Sequence, residues 1–176
     1  IRSEPTVKVA NSNDAGGIMI TCGTGDLTEL NADGTVTYTI SVDYPEWYRF
    51  AGWEFDQGTV VASQVNGSDL TVTLDWNQTK RFAPKAKFYK QRRITVRTAA
   101  GQENRGQLQV RKDNGSGEEI ALDEDGSAYV DINSKVWLKA TPVGVSRFER
   151  WNWQYGGYSN SSTATEITET IWDYPS

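Results

Sequence analysis

Hydrophobic and polar side chains alternate over short stretches along most of this chain. In Val36-Thr-Tyr-Thr-Ile-Ser-Val42 the alternation places Val36, Tyr38, Ile40 and Val42 on one face and Thr and Ser on the other, the period of a half-buried β-strand. Asp69-Leu-Thr-Val-Thr-Leu74, Lys85-Ala-Lys-Phe-Tyr89, Arg93-Ile-Thr-Val-Arg97, Gln107-Leu-Gln-Val-Arg111, Ala128-Tyr-Val-Asp-Ile132 and Val136-Trp-Leu-Lys-Ala140 read the same way. Shorter strands are expected over residues 18–22, 59–63 and 119–122, with an edge strand over residues 6–10. Turn signals separate these stretches at Asn31-Ala-Asp-Gly34, Asn66-Gly67, Asp113-Asn-Gly-Ser-Gly117 and Asp125-Gly126, because Asn-Gly and Asp-Gly supply the positive φ angles of tight hairpins. No segment sustains a 3.6-residue period. Helical character is expected only in short loop turns, for example around Glu46-Trp47. The prediction is a nearly all-β chain.

Two of its stretches say the same thing. Tyr48-Arg-Phe-Ala-Gly-Trp-Glu-Phe55 and Ser146-Arg-Phe-Glu-Arg-Trp-Asn-Trp153 both read R-F-x-x-W-x-aromatic, and each follows an alternating segment that ends in proline, at Pro45 and Pro142. Downstream, Leu70-Thr-Val-Thr-Leu74 matches Ile167-Thr-Glu-Thr-Ile171. An internal repeat of this kind predicts tandem modules. Residues 1–17 form a polar leader or linker, 18–90 a first β module and 91–176 a second. The first module ends in an aromatic-capped strand over residues 83–89, and the second stops at Trp172-Asp-Tyr-Pro-Ser176, where that strand is still due. Either the chain is cut short there or a partner supplies the strand, since an unpaired sheet edge invites strand addition. Within the motif, Phe50 and Phe148 are expected to start a strand and point into the core. A tryptophan three residues later cannot share that face on a regular strand, so either a bulge intervenes, which Gly52 would favour, or the indole covers the opposite side.

The order of strand, x-P, loop, R-F-x-x-W, variable loop, L-x-V-T-L and x-A-x-F is carried by Pro45, Arg49, Phe50, Gly52, Trp53, Leu70, Val72, Leu74, Ala86 and Phe88. In the second copy it is carried by Pro142, Arg147, Phe148, Trp151, Ile167 and Ile171. It resembles the divergent B-repeat modules of internalin B type, which recur in surface proteins of Listeria and Bacteroides. The resemblance covers residues 34–89 and 126–172. It departs from the family pattern at Arg150, where glycine is favoured, and at the absent last strand. It implies a small β-rich, β-grasp-like repeat on extracellular multidomain proteins. It implies no catalytic activity and brings no binding residues with it.

Composition narrows the picture further. The chain has 176 residues, 37% of them hydrophobic, with seven Trp, eight Tyr and five Phe, so its cores must be small and built from a few large rings. A net charge of −5 argues against nucleic acid as a partner. No apolar run approaches the roughly 18 residues of a membrane helix, so a spanning segment is not expected. The start, Ile1-Arg-Ser-Glu, has neither an initiator Met nor an apolar signal core, and reads as a mature product or an excised fragment. The single cysteine, Cys22, excludes an intrachain disulfide and is expected as a buried apolar side chain. The chain has no histidine, which removes Ser-His-Asp and Cys-His triads and His-containing zinc sites, and no cofactor is expected.

The candidate binding residues are aromatic. Trp151, Trp153, Tyr155 and Tyr158, interleaved with Asn152 and Gln154, offer flat rings and amides of the kind that bind sugars, and Tyr44 and Trp47 form a second candidate group. The competing account is that these rings pack the modules. Asp113 to Glu118 lacks the ligand spacing of an EF-hand. Glu54, Asp56, Asp75, Glu149 and Asp173 could supply paired carboxylates, but nothing in the sequence sets two of them across a cleft. The basic stretch between Lys80 and Arg93 reads as charges on the exposed face of a strand, and N-x-S/T sequons at Asn66, Asn77, Asn114 and Asn160 as turns. The expectation is therefore a non-catalytic, extracellular spacer or adhesion region of a bacterial cell-surface protein. Its partners would be neighbouring repeats or domains of the parent chain, with a glycan or a host surface protein. The alternative is a carbohydrate-binding module using the Trp/Tyr platform, and a hydrolytic enzyme is a distant third.

Overall fold

In the computed structural model, residues 6–9, 20–21, 30–78 and 81–173 are described, the first two stretches as backbone only. Cys22, most of the expected leader and the last three residues lie outside them. The fold is all-β, built from several small antiparallel sheets with no α-helix among the described residues. The chain divides into two compact units, Ile1–Tyr89 and Lys90–Ser176.

The first unit begins with β1 (Thr6–Val9) and β2 (Ile20–Thr21), followed by β3 (Thr35–Asp43), β4 (Tyr48–Glu54), β5 (Ala62–Asn66), β6 (Asp69–Asp75), β7 (Arg81–Phe82) and the start of β8 (Lys85–Thr95). The long alternating strand β3 is central to a four-stranded sheet of order β1-β3-β6-β5. Its register with β6 sets Val36 opposite Leu74, Tyr38 opposite Val72 and Ile40 opposite Leu70. Because side chains alternate across a strand, this register gathers every large apolar residue of both strands on one face. Ile40, Leu70, Val72 and Leu74 are fully buried there, and Phe82 of β7 joins them at 1% exposure. Each such side chain contributes about 1.5–3 kcal/mol by leaving water. The Asp-Gly turn before β3 is fixed by Asp33, whose carboxylate accepts from the Thr35 backbone N–H at 3.1 Å and its hydroxyl at 2.6 Å. Strand β4 pairs with β8.

In the second unit β8 continues to Thr95, followed by β9 (Gly106–Lys112), β10 (Ser127–Asp131), β11 (Lys135–Pro142), β12 (Trp151–Tyr155), β13 (Tyr158–Ser162) and β14 (Glu166–Thr170). A three-stranded sheet of order β14-β11-β9 carries Leu138 opposite both Ile167 and Val110. Val110, Val130, Val136 and Ile171 form the buried core, with Ile94, Val96, Ile120, Leu122 and Leu138 packed around it. Strand β10 pairs with the second half of β8, and β12 with β13 as a separate hairpin.

Several expectations change. Residues 85–89 and 93–97 were expected as separate strands, yet one strand runs from Lys85 to Thr95, since no glycine or proline interrupts it. Residues 59–63 open with a 3₁₀ turn, Gln57–Thr59, capped by Asp56 accepting from Gly58 N–H at 2.9 Å, so the strand starts only at Ala62. Residues 119–122 form no strand. A bridge from Glu119 to Arg111 and a bond from Ile120 N–H to the Val110 carbonyl tie them to β9. Asn160 lies within β13 rather than at a turn.

Candidate functional site

The R-F-x-x-W motif makes the same ring contact in both units. Phe50 and Trp53 lie 5.9 Å apart between centroids at 61°, and Phe148 and Trp151 lie 5.7 Å apart at 54°. How the backbone brings the rings together differs. In the first unit Gly52 takes φ 132°, a conformation open to glycine, so β4 bends between Phe50 and Trp53 and remains a strand. In the second unit that position is Arg150, and the chain stays irregular until β12 begins at Trp151. The expectation that Phe148 starts a strand is thus corrected. Arginine disfavours the positive φ that lets a strand hold both rings.

The indoles are anchored alike. Trp53 Nε1 donates to the Ser68 carbonyl at 3.0 Å, and Trp151 Nε1 to the Thr165 carbonyl at 3.4 Å. Each acceptor lies two residues before the first apolar position of the next long strand, Leu70 or Ile167. The burial differs, however. Trp53 and Phe55 pack against the first core, whereas Trp151 and Trp153 are not among the residues packed on the second.

The sequence candidates fall into two groups, one in each unit. Tyr44 joins an aromatic cluster with its ring 5.2 Å from Phe88 and 6.5 Å from Phe50, while Tyr48 is buried with its ring 6.2 Å from Phe88. Trp47 is half-buried in the turn closed by Tyr48 N–H on the Pro45 carbonyl. In the second unit Trp151, Trp153 and Tyr155 alternate along β12 and so share one face, each half-buried, with Asn152 and Gln154 exposed on the other. Across the hairpin Asn160 is opposite Trp153 and Tyr158 opposite Tyr155, which puts both on that same face. Tyr158 is 71% exposed. The Tyr155 hydroxyl donates to the Trp172 carbonyl, and the Arg92 guanidinium lies over the Tyr155 ring at 5.3 Å. All four rings line an open cleft, along with apolar side chains of β11 and β14.

Most of the carboxylates considered for hydrolysis are engaged locally. Glu54 pairs with Lys87 at 2.7 Å, and that hydrogen bond draws its carboxyl below the usual range while raising the lysine. Asp56 caps the 3₁₀ turn, and Asp75 accepts from the Asn77 N–H at 3.0 Å and the Gln78 side chain at 3.0 Å. The Arg150 hydrogen bond likewise lowers Glu149. Asp125 is held down to about 2, first by its hydrogen bond with Asp123 and then by Ser127, with Arg93 adding to both. Glu169, on the cleft side of β14 with Ile167 and Ile171, is pushed up by burial. Among the described residues no group of three or more Cys, Asp or Glu side chains is arranged to hold a metal ion, and no helix is long and apolar enough to cross a membrane.

Sequence reasoning missed the cleft. One signal was present: Gly156-Gly157, with φ 53° and 84°, is a two-residue hairpin turn that turns the Trp/Tyr segment into a ribbon of its own. Comparison of the chain with protein-family models, curated proteins and solved structures gives no match.

Proposed function

We propose that this chain is a non-catalytic stretch of tandem β modules from an extracellular bacterial surface protein of the internalin B-repeat kind, serving as spacer and adhesion region. The observation that carries this reading is the shared use of R-F-x-x-W. In both units the motif contributes a Phe–Trp ring contact and an indole N–H bound to a backbone carbonyl. A motif used twice for the same internal contacts is a device for building modules, and such arrays derive stability from repeating one unit. The local engagement of Glu54, Asp56, Asp75 and Glu149 adds support, because it withdraws them from acid–base roles. Neighbouring modules of the parent chain and a host-surface protein are the partners this reading assigns.

A carbohydrate-binding role is the second reading. It is favoured by the exposed Tyr158 beside Tyr155, Trp153 and Asn160 along one wall of an open cleft. Affinity electrophoresis of the purified chain in gels containing soluble polysaccharides separates the two. The first reading expects unretarded migration together with adhesion to surfaces coated with host protein. Retardation by one glycan that disappears in Trp153→Ala, with the circular-dichroism spectrum unchanged, would replace it with the second.

A further inference from the structure

Two asparagines of the chain precede glycine, Asn66 and Asn114, and the fold holds them differently. Asn66 is the last residue of β5 and is paired with Asp69 in the ladder to β6, which keeps its backbone extended. Asn114 is exposed in the loop from Asp113 to Gly117. Lys112 N–H on the Glu118 carbonyl at 2.9 Å and Gly117 N–H on the Lys112 carbonyl at 3.3 Å close that loop at its base. Inside the closure the Gly115 N–H donates to no acceptor among the described residues. The Ser116 hydroxyl donates to Asn114 Oδ1 at 2.9 Å. The glycine is itself required by the fold. Gly115 takes φ 96°, and a Cβ there would stand 3.1 Å from the indole of Trp137 on β11, against which the loop packs. No side chain can therefore shield the amide nitrogen at this position.

We infer that Asn114 is a built-in deamidation site, converting to aspartate and isoaspartate far faster than Asn66. The Gly115 nitrogen gives its proton to hydroxide and attacks Asn114 Cγ, forming a five-membered ring. The oxyanion that develops on Oδ1 keeps the hydrogen bond from Ser116, which stabilises the charge as it forms. The Cγ–Nδ2 bond then breaks, the nitrogen leaves as ammonia with a proton from water, hydroxide is regenerated, and a succinimide remains. Water opens that ring at either carbonyl to give aspartate or isoaspartate. No oxidant or second protein is consumed. At Asn66 the same closure needs a rotation about ψ that the ladder with Asp69 opposes. Conversion at Asn114 adds a negative charge beside Asp113, and isoaspartate inserts a side-chain methylene into the backbone where the loop packs on Trp137. The charge and packing of this face therefore change as the protein ages.

The test incubates the purified whole chain at neutral and mildly alkaline pH, folded and in urea. Tryptic peptides are mapped by mass spectrometry, with enzymatic methylation of isoaspartate as a second readout. In the folded chain Asn114 is expected to convert at least about tenfold faster than Asn66, a barrier difference of about 1.4 kcal/mol, and faster still as pH rises. In urea the two rates should converge. Ser116→Ala, at an exposed loop position, should slow Asn114 in the folded chain but not in urea. The inference is overturned if Asn66 converts as fast as Asn114 in the folded chain, or if Asn114 stays an amide over the time in which the unfolded chain converts. It is equally overturned if Ser116→Ala leaves the folded-state rate unchanged.

Discussion

The indole N–H of Trp53 donates to the backbone carbonyl of Ser68 at 3.0 Å, tying the end of the bent strand β4 to the residue that leads into β6. Trp151 and Thr165 repeat the tie at 3.4 Å between β12 and β14. In both places the tryptophan of R-F-x-x-W bridges two strands that are not paired with each other, which explains why the motif needs an indole rather than another large ring.

Trp53→Phe keeps a ring in place and removes only the donor, so it should destabilise by about 1 kcal/mol. Trp53→Ala also empties space beside the first core and should approach about 3 kcal/mol. Trp151→Ala should have the smaller effect of the two alanine variants, because that ring packs outside the second core. Urea unfolding of the three variants, followed by hydrogen exchange unit by unit, checks the order.

Two glycines in equivalent Asp-Gly turns should respond differently to alanine. Gly34 and Gly126 have φ 80° and 79°, so both substitutions carry the strain of a left-handed residue, on the order of 1–3 kcal/mol. An added Cβ at Gly34 meets the mobile amide of Asn77 at 2.7 Å, which can turn away, whereas at Gly126 it meets the Val96 carbonyl at 2.6 Å. That carbonyl belongs to the residue whose own N–H bonds to Gly126. Gly126→Ala is therefore the more damaging, and thermal unfolding should show the larger drop in Tm for it.

The turn before β10 should be acid-sensitive. Asp125 is lowered from an ordinary 3.8 to about 2, so the fold favours its charged form. The resulting stabilisation is present above the ordinary value and is lost as pH falls toward about 2. Asp125→Asn should lower the urea midpoint at neutral pH and converge with the parent in acid. Carbon-detected NMR titration of the carboxyl reads the shift directly.

Glu169 behaves in the opposite sense. Burial raises its pKa above 4.5, so the charged form is disfavoured in the fold, and the penalty is absent in acid and grows as pH rises through the folded-state value. At the matching position of β6 the first unit has the fully buried Val72. Glu169→Gln should raise Tm at neutral pH, and the gain should vanish below the ordinary glutamate range.

How much of this was legible in the sequence depends on the residue. Val36, Ile40, Leu70, Val72 and Leu74 could be read as core because a period of two with one face on the interior leaves each strand a single stable register. The alternation points Phe50 inward but leaves Trp53 either past a bulge at Gly52 or on the opposite face, and the Gly52 φ of 132° with the 5.9 Å ring contact decides for the bend. Periodicity does not say which neighbour a strand's second edge finds. Strand β5 pairs with β6, but the matching segment β13 folds back on β12 through Gly156-Gly157, and this choice detaches the Trp/Tyr ribbon from the β9-β11-β14 sheet. The cleft follows from that pairing. Its arginines, scattered from Arg92 to Arg150 in the sequence, carry no local pattern that would have drawn them together.

The central claim is that the motif's tryptophans are internal fixtures of two like modules. The most direct measurement is solvent exchange of the indole N–H protons by NMR. The account predicts that Trp53 and Trp151 exchange more slowly than Trp172, which is 51% exposed, and that neither resonance moves on addition of soluble glycans. A Trp151 indole that exchanges as fast as that of Trp172, and shifts saturably with a glycan, would contradict it.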